Sequence, residues 1–269
     1  MVVVARHKID LLREELRGDR DGVQFADMST VGRNPARIIP AWQAFVERNA
    51  APGVTLRGIG EPIGPERRPD ALLECQLHES LLNLAFVDTK SFWLVCPYDV
   101  ESLPAEVIEQ ARRSHPVVAH RDWYERSVGY DPAGRVAEPL PAPPAEARVL
   151  HFDASSVSAV PGFVADYVAG AELSPSRRVD FVVAVGEIAG ESVAVGGGEG
   201  VVRLWGGPEG VVCEISDRRE LDDPLADRQV RAGRRPGSHG LWMANQLCDL
   251  VQVRSHPPET VMRLHIAAG

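Results

Sequence analysis

Lysine is almost missing from this chain of 269 residues: Lys8 and Lys90 are the only two, and the other basic residues are arginines. Basic residues as a whole are outnumbered, 29 against 38 acidic, for a formal charge of −9 at pH 7. The deficit is spread evenly, with 17 basic and 21 acidic residues up to Pro143 and 12 and 17 after it. No basic tail or face exists to neutralise a phosphate backbone, which argues against direct nucleic-acid binding. Cysteine is scarce too. Cys75, Cys96, Cys213 and Cys248 stand alone, without CxxC spacing, so a disulfide framework is not expected and the thiols read as reduced. No apolar run is long enough for a bilayer and no leader or lipidation signal is evident, so the expected location is the cytoplasm, away from membranes. The phosphate-loop pattern GxxxxGK[ST] is absent as well.

What is present is an ordinary globular composition, 44% hydrophobic and 25% charged, long enough for two domains. The first half alternates strand-like and helix-like segments. VVVA (2–5) leads into a helical stretch over 7–16 with Ile9, Leu12 and Leu16 at spacings of three and four. VQFAD (23–27), a helix over 35–49 and the strand VTLRGIG (54–60) follow. Pro69 opens a helix to about Val87 whose apolar face is expected to be Leu72, Leu73, Leu77, Leu81 and Leu84. FWLVCP (92–97) reads as a central parallel strand buried on both faces, and 104–113 as a last short helix. Repeated βα units predict a doubly wound, mostly parallel sheet over residues 1–128.

Residues 129–147 contain five prolines and no apolar periodicity, which predicts an extended linker. Over 148–269 the rhythm changes: a strand (148–154), helices over 157–169 and 175–195, the hairpin VVRLW–GGPEG–VVCEIS (201–216), and a polar arginine-rich stretch (218–238). A helix from Gly237 to about Cys248 and a final hairpin (251–266) complete it. Helices gathered on one antiparallel sheet predict an α+β sandwich.

The order VGEIAGES (185–192), hairpin, ISD (215–217), loop, GSHGLWMANQLCDLV (237–251) resembles the Bergerat-type, histidine-kinase-like ATPase domain. DDPLADR (222–228), GLW (240–242) and NQLCDLVQVRS (245–255) narrow the resemblance to the anti-sigma-factor and serine-kinase branch, as found in actinobacteria, over about 148–267. The first half resembles the MEDS sensory domain over about 1–118, through GRNPARIIPAWQAFV (32–46), RGIGEP (57–62), ECQLHESLLNLAF (74–86) and LVCPYD (94–99). Members of that family usually begin one strand–helix unit earlier, with a His-containing motif, so the start at Met1–VVVA suggests a missing unit.

The resemblance implies particular roles. Glu187 takes the place of the glutamate that polarises the attacking group. The asparagine that holds Mg²⁺ on the ATP phosphates is Glu191 here, a carboxylate that can ligate a hard cation but adds charge facing polyphosphate. With Ala194 and Val195 following the motif, no compensating cation is expected. Asp217 matches the aspartate that binds the adenine amino group, but the glycine two residues later is Arg219, whose side chain can crowd the base. Gly237 and Gly240 match the glycines of the lid, and Thr260 the threonine that supports the adenine pocket. Gly186 and Gly190, four apart in a helix, cost about 1 kcal/mol each relative to alanine and suggest close packing or room for a ligand.

In the first domain Glu74, Cys75, His78 and Glu79 share a helix. Glu74 and His78, at i and i+4, are candidates for holding a polar ligand or a metal, with Cys96 as a possible neighbour. Glu61, in the RGIGEP segment that ends a strand, is a further ligand-sensing candidate. Two functions are open. One is a regulatory switch that senses a small ligand and controls a sigma factor or its antagonist by binding, as a homodimer, with ATP turnover weak or lost. The other is a small-molecule enzyme built on the ATPase pocket, with Glu187 and Glu191 as acid and base.

Overall fold

Short strands alternating with helices, then long antiparallel strands carrying three helices, divide the chain into two units, Met1–Ala137 and Glu138–Gly269. The computed structural model describes all residues except 19–20, 66, 121–122, 132–137, 208, 222, 227, 229–238 and 269.

In the first unit, β1 (Val2–Val4), β2 (Phe25–Asp27), β3 (Leu56–Gly60) and β4 (Phe92–Val95) form a parallel sheet in the order β2-β1-β3-β4. The reversal of strand order at β1 marks a doubly wound sheet, and its switch point lies between the C-terminal ends of β1 and β3. The connections are α1 (Arg6–Glu15), the single turn α2 (Met28–Val31), α3 (Ile38–Asn49) and α4 (Pro69–Ala85), with α5 (Ala105–Ser114) after the last strand. Trp42 of α3 is fully buried on the sheet. Its ring lies so close to β3 that a Cβ at Gly58 would come within 2.8 Å of it and one at Gly60 within 3.1 Å. The glycines of RGIGEP are thus strand residues that admit an indole.

Two expectations fail here. β4 is an edge strand: Trp93 is 51% exposed and Val95 42%, where burial on both faces was expected. Its outward face is covered in part by the hairpin β5 (Val117–Ala119) and β6 (Tyr124–Arg126), with Tyr124 edge-on to Trp93 and Arg57 over the same indole. Helix α4, in turn, buries only part of its leucine stripe. Leu84 is exposed, while Glu74, Cys75, His78 and Glu79 face inward with Leu81 and Leu82. Burying ionisable side chains is costly unless they are partnered, so this inward face demands a chemical explanation.

The second unit is a five-stranded antiparallel sheet in the order β10-β11-β9-β8-β7, formed by β7 (Arg148–Asp153), β8 (Glu199–Gly206), β9 (Gly210–Asp217), β10 (Leu250–His256) and β11 (Glu259–Ala267). Helices α6 (Val160–Val168), α7 (Pro175–Val195) and α8 (His239–Leu247) pack with it around one core that includes Phe181, Val185, Ile188, Leu204, Ile215, Leu241 and Met262. Ser174 caps α7 by accepting from the Arg177 N–H, and Pro175 occupies the first turn, where a missing N–H costs nothing. Residues 138–147 contain no helix or strand. Arg254 donates to the Glu138 carbonyl (2.7 Å) and Arg263 to that of Pro141 (2.6 Å), holding this segment on β10 and β11. None of the four cysteines is in a disulfide. Among the described residues, no helix is long and apolar enough to cross a membrane.

Candidate functional site

In the second unit, α7, the end of β9, α8 and β11 converge on Arg219. Its side chain is almost fully buried, and so is that of Asp217. The guanidinium bonds the Asp217 carboxylate through Nε at 2.7 Å and lies 2.7 Å from the same oxygen through a terminal nitrogen. It also reaches Glu191 Oε2 (3.3 Å), Ser192 Oγ (3.1 Å) and the Ile188 carbonyl (3.3 Å). The Arg219 N–H donates to Asp217 Oδ1, and the Thr260 hydroxyl donates to the Arg219 carbonyl at 2.6 Å. The cation expected to be missing beside Glu191 is therefore present, supplied by Arg219 from two residues past β9.

Glu191 Oε1 accepts the Gly240 N–H at 2.7 Å. Helix α8 lies so close to α7 that a Cβ at Gly240 would stand 3.0 Å from the Glu187 carbonyl and from Glu191 Oε2. Close approach thus falls at Gly240; Gly190 is exposed, with nothing within 4 Å of a Cβ there. Glu187 is exposed and outside the network. Gly237 lies outside the described residues. Of the residues assigned to nucleotide by resemblance, Glu191, Asp217, Gly240 and Thr260 are brought together, but around an arginine. Asp217 is not available to an adenine amino group, and both oxygens of Glu191 are engaged, so these side chains do not fit Mg²⁺-ATP.

The first unit carries a different arrangement. A cleft of about 800 Å³ lies between the end of α4, β4, α5 and the β5–β6 hairpin, walled by apolar residues such as Phe86, Trp93, Val100 and Ile108. Glu79, Cys96, Tyr98 and His115 line it as well. Glu79 is 1% exposed, and its Oε2 lies 2.9 Å from His115 Nε2. His115 Nδ1 is 2.8 Å from the Ala111 carbonyl, which fixes the ring with Nε2 toward the carboxylate. Burial pulls the His115 pKa down, but the hydrogen bond and charge of Glu79 outweigh it and the net shift is upward. Burial likewise opposes ionisation of Glu79, yet His115, with smaller help from His78 and Cys96, leaves its pKa below the ordinary value. Burial and the Glu79 charge push the Cys96 thiol and the Tyr98 hydroxyl well up.

The sequence candidates Glu61, Glu74 and His78 do not line this cleft. Glu74 and His78 are buried on the same face of α4, but Cys96 meets Glu79 and His115 and not the Glu74–His78 pair. Glu61 stands at the sheet's switch point, where Lys8 Nζ bonds it at 2.5 Å. His115 was not singled out from sequence, because a capping residue on another helix leaves no spacing signal linking it to Glu79.

Comparison with known families agrees with the fold. Residues 1–116 match the family model described as MEDS, "MEthanogen/methylotroph, DcmR Sensory domain". Residues 150–266 match the histidine kinase-like ATPase domain. The chain thus carries a stretch that matches a MEDS sensory domain followed by one that matches a histidine kinase-like ATPase domain. Comparison with curated proteins returns no match. Among solved structures, the RsbU and RsbW domains of Rv1364c from Mycobacterium tuberculosis are 21% identical to it, over 45% of this chain and 32% of that one, with a TM-score of 0.32. The chain thus spans about a third of the length of that structure.

Proposed function

We propose that this chain is a cytoplasmic regulatory protein whose second unit acts by holding a protein partner, a sigma factor or its antagonist, without turning over ATP. The observation that carries this reading is the buried Arg219, which takes up Asp217 and Glu191 in the pocket where the fold family receives its nucleotide. The partner class comes from the resemblance to anti-sigma regulators, which also suggests a homodimer. The apolar cleft of the first unit is the receiving site for a small ligand. An acid–base role for Glu187 and Glu191 gains no support, because Glu191 is engaged and Glu187 is exposed.

The test is calorimetry with Mg²⁺-ATP. The natural protein is expected to give no binding heat. The double substitution Glu191→Asn with Arg219→Gly removes one charge of each sign and frees Asp217, and it is expected to gain nucleotide binding. Tight Mg²⁺-ATP binding with phosphate transfer by the natural protein overturns the proposal.

A further inference from the structure

We propose that Glu79, Cys96 and His115 form a site for a divalent transition metal of zinc's class, bordering the apolar cleft. The three residues come from three places: the middle of α4, the residue after β4 and the C-terminal cap of α5. A carboxylate oxygen, the thiol sulfur and an imidazole nitrogen lie within 4.8 Å of one another. Zinc with ligand bonds of about 2.0–2.3 Å holds its donors within roughly 4 Å of each other, so only a small closing movement is needed.

Three further observations favour a metal over a satisfied polar cluster. His115 already shows the arrangement of a ligating histidine, with Nδ1 on the Ala111 carbonyl and Nε2 toward the other donors. Glu79 is buried, and although the Tyr98 hydroxyl and the Cys96 thiol stand close enough to interact with its carboxylate, neither Oε1 nor the Tyr98 hydroxyl makes a hydrogen bond of good geometry among the described residues. Orphaned buried oxygens are costly, and a cation would satisfy them. The inward placement of Glu79 on α4, beside the buried Leu81 and Leu82, is explained by the same cation.

The donor set chooses the metal. A thiolate disfavours Mg²⁺ and Ca²⁺, while sulfur, imidazole and carboxylate together suit Zn²⁺ or Co²⁺. Three protein donors leave a fourth position, the pattern of sites that bind an exogenous ligand. All three line the cleft, so a small molecule with an apolar body and one donor atom would fit the cleft and complete the coordination. Binding forms a metal–sulfur bond and breaks the Cys96 S–H bond. That proton, and the one between His115 and Glu79, pass to solvent.

This inference deepens the sensing half of the proposed function, and its readout does not involve nucleotide, so its failure leaves the reading of the second unit untouched. The full chain, stripped with a chelator, is titrated with Co²⁺ and then Zn²⁺. One Co²⁺ per chain is expected, with tetrahedral visible bands and a thiolate-to-cobalt charge-transfer band, both removed by Zn²⁺. Cys96→Ser is expected to abolish the charge-transfer band and weaken binding by at least about 10-fold. Because that variant can fail to fold, alkylation of the natural protein is a second measurement. Cys75, Cys213 and Cys248 are fully buried and Cys96 is not, so Zn²⁺ is expected to slow labelling of Cys96 specifically. Absence of the charge-transfer band, its persistence in Cys96→Ser, or labelling unchanged by Zn²⁺ overturns the proposal.

Discussion

Each unit buries a carboxylate against a cation, and the two pairs differ in what the cation can do. In the second unit Asp217 and Glu191 close on Arg219, which is always charged and fills the space between them with five donors. In the first, Glu79 faces His115, a ring that can exist neutral or charged, whose pKa the neighbouring carboxylate raises and which stands at the edge of an open cleft. In the second unit the carboxylates meet in a closed internal contact, while the first keeps a polar cluster beside unfilled volume. The general lesson is that a buried ion pair by itself says little about activity. Whether the cation can be displaced, and whether space lies next to it, decides between a structural clasp and a receptor.

The sharpest way to break this comparison is to remove one carboxylate from each pair. Asp217→Ala leaves Arg219 charged and buried with only Glu191 opposite, and is expected to cost about 3 kcal/mol or more. Glu79→Gln is expected to cost less, about 1–2 kcal/mol, because His115 can become neutral and the remaining loss is one buried hydrogen bond. Urea unfolding monitored separately in each unit measures both. Equal costs would mean that His115 is held as rigidly charged as Arg219, and the distinction between clasp and receptor would fall.

How much of this was legible in the sequence follows the same division. The elements of the second unit were readable, since α7, the β8–β9 hairpin and the late β10–β11 hairpin carry long periodic runs and strong turn signals. Arg219 was recognisable as a departure, but its direction was not. A side chain two residues past a strand can turn to solvent or inward, and only the four acceptors waiting on α7 and β9 settle it. In the first unit the periodicity misled. The leucines of α4 suggested an apolar inner face, whereas ionisable residues turn inward beside Leu81 and Leu82, and the partners of one of them, Glu79, arrive from the ends of β4 and α5. No local spacing in the chain announces such a partner. FWLVCP misled for a related reason: an apolar strand can stand at a sheet edge when a hairpin covers its outer face.

A smaller effect tests the contact between α7 and α8 that closes the second unit. Gly240→Ala places a Cβ 3.0 Å from backbone atoms of Glu187, and is expected to destabilise by about 1–3 kcal/mol by overpacking. Gly190→Ala on the same helix meets nothing within 4 Å and is expected to stabilise by about 0.5–1 kcal/mol through helix propensity and reduced unfolded-state freedom. Thermal unfolding of the two variants reads opposite signs. A loss at Gly190 would mean that its open space is used by something the chain binds there.

The smallest expected effect concerns a device the two units share. Asp27 in the first unit and Asp153 in the second each accept hydrogen bonds from a serine N–H and hydroxyl two or three residues on, at Ser29 and at Ser155 and Ser156. The serine hydroxyls are the leading cause that holds both carboxyls below their ordinary values. A carboxyl whose pKa is lower in the folded chain than in the unfolded one contributes stability above the unfolded value, near 3.8, and loses it as pH falls through the folded value. Asp27→Asn keeps an acceptor but removes the charge, so its cost is expected to be under about 1 kcal/mol at neutral pH and to shrink toward pH 3. Asp153→Asn is expected to follow the same direction. Urea midpoints at pH 7 and pH 3 check both. If only one unit showed the acid-dependent loss, the difference between the units would extend beyond Arg219 and His115 to their exposed turns.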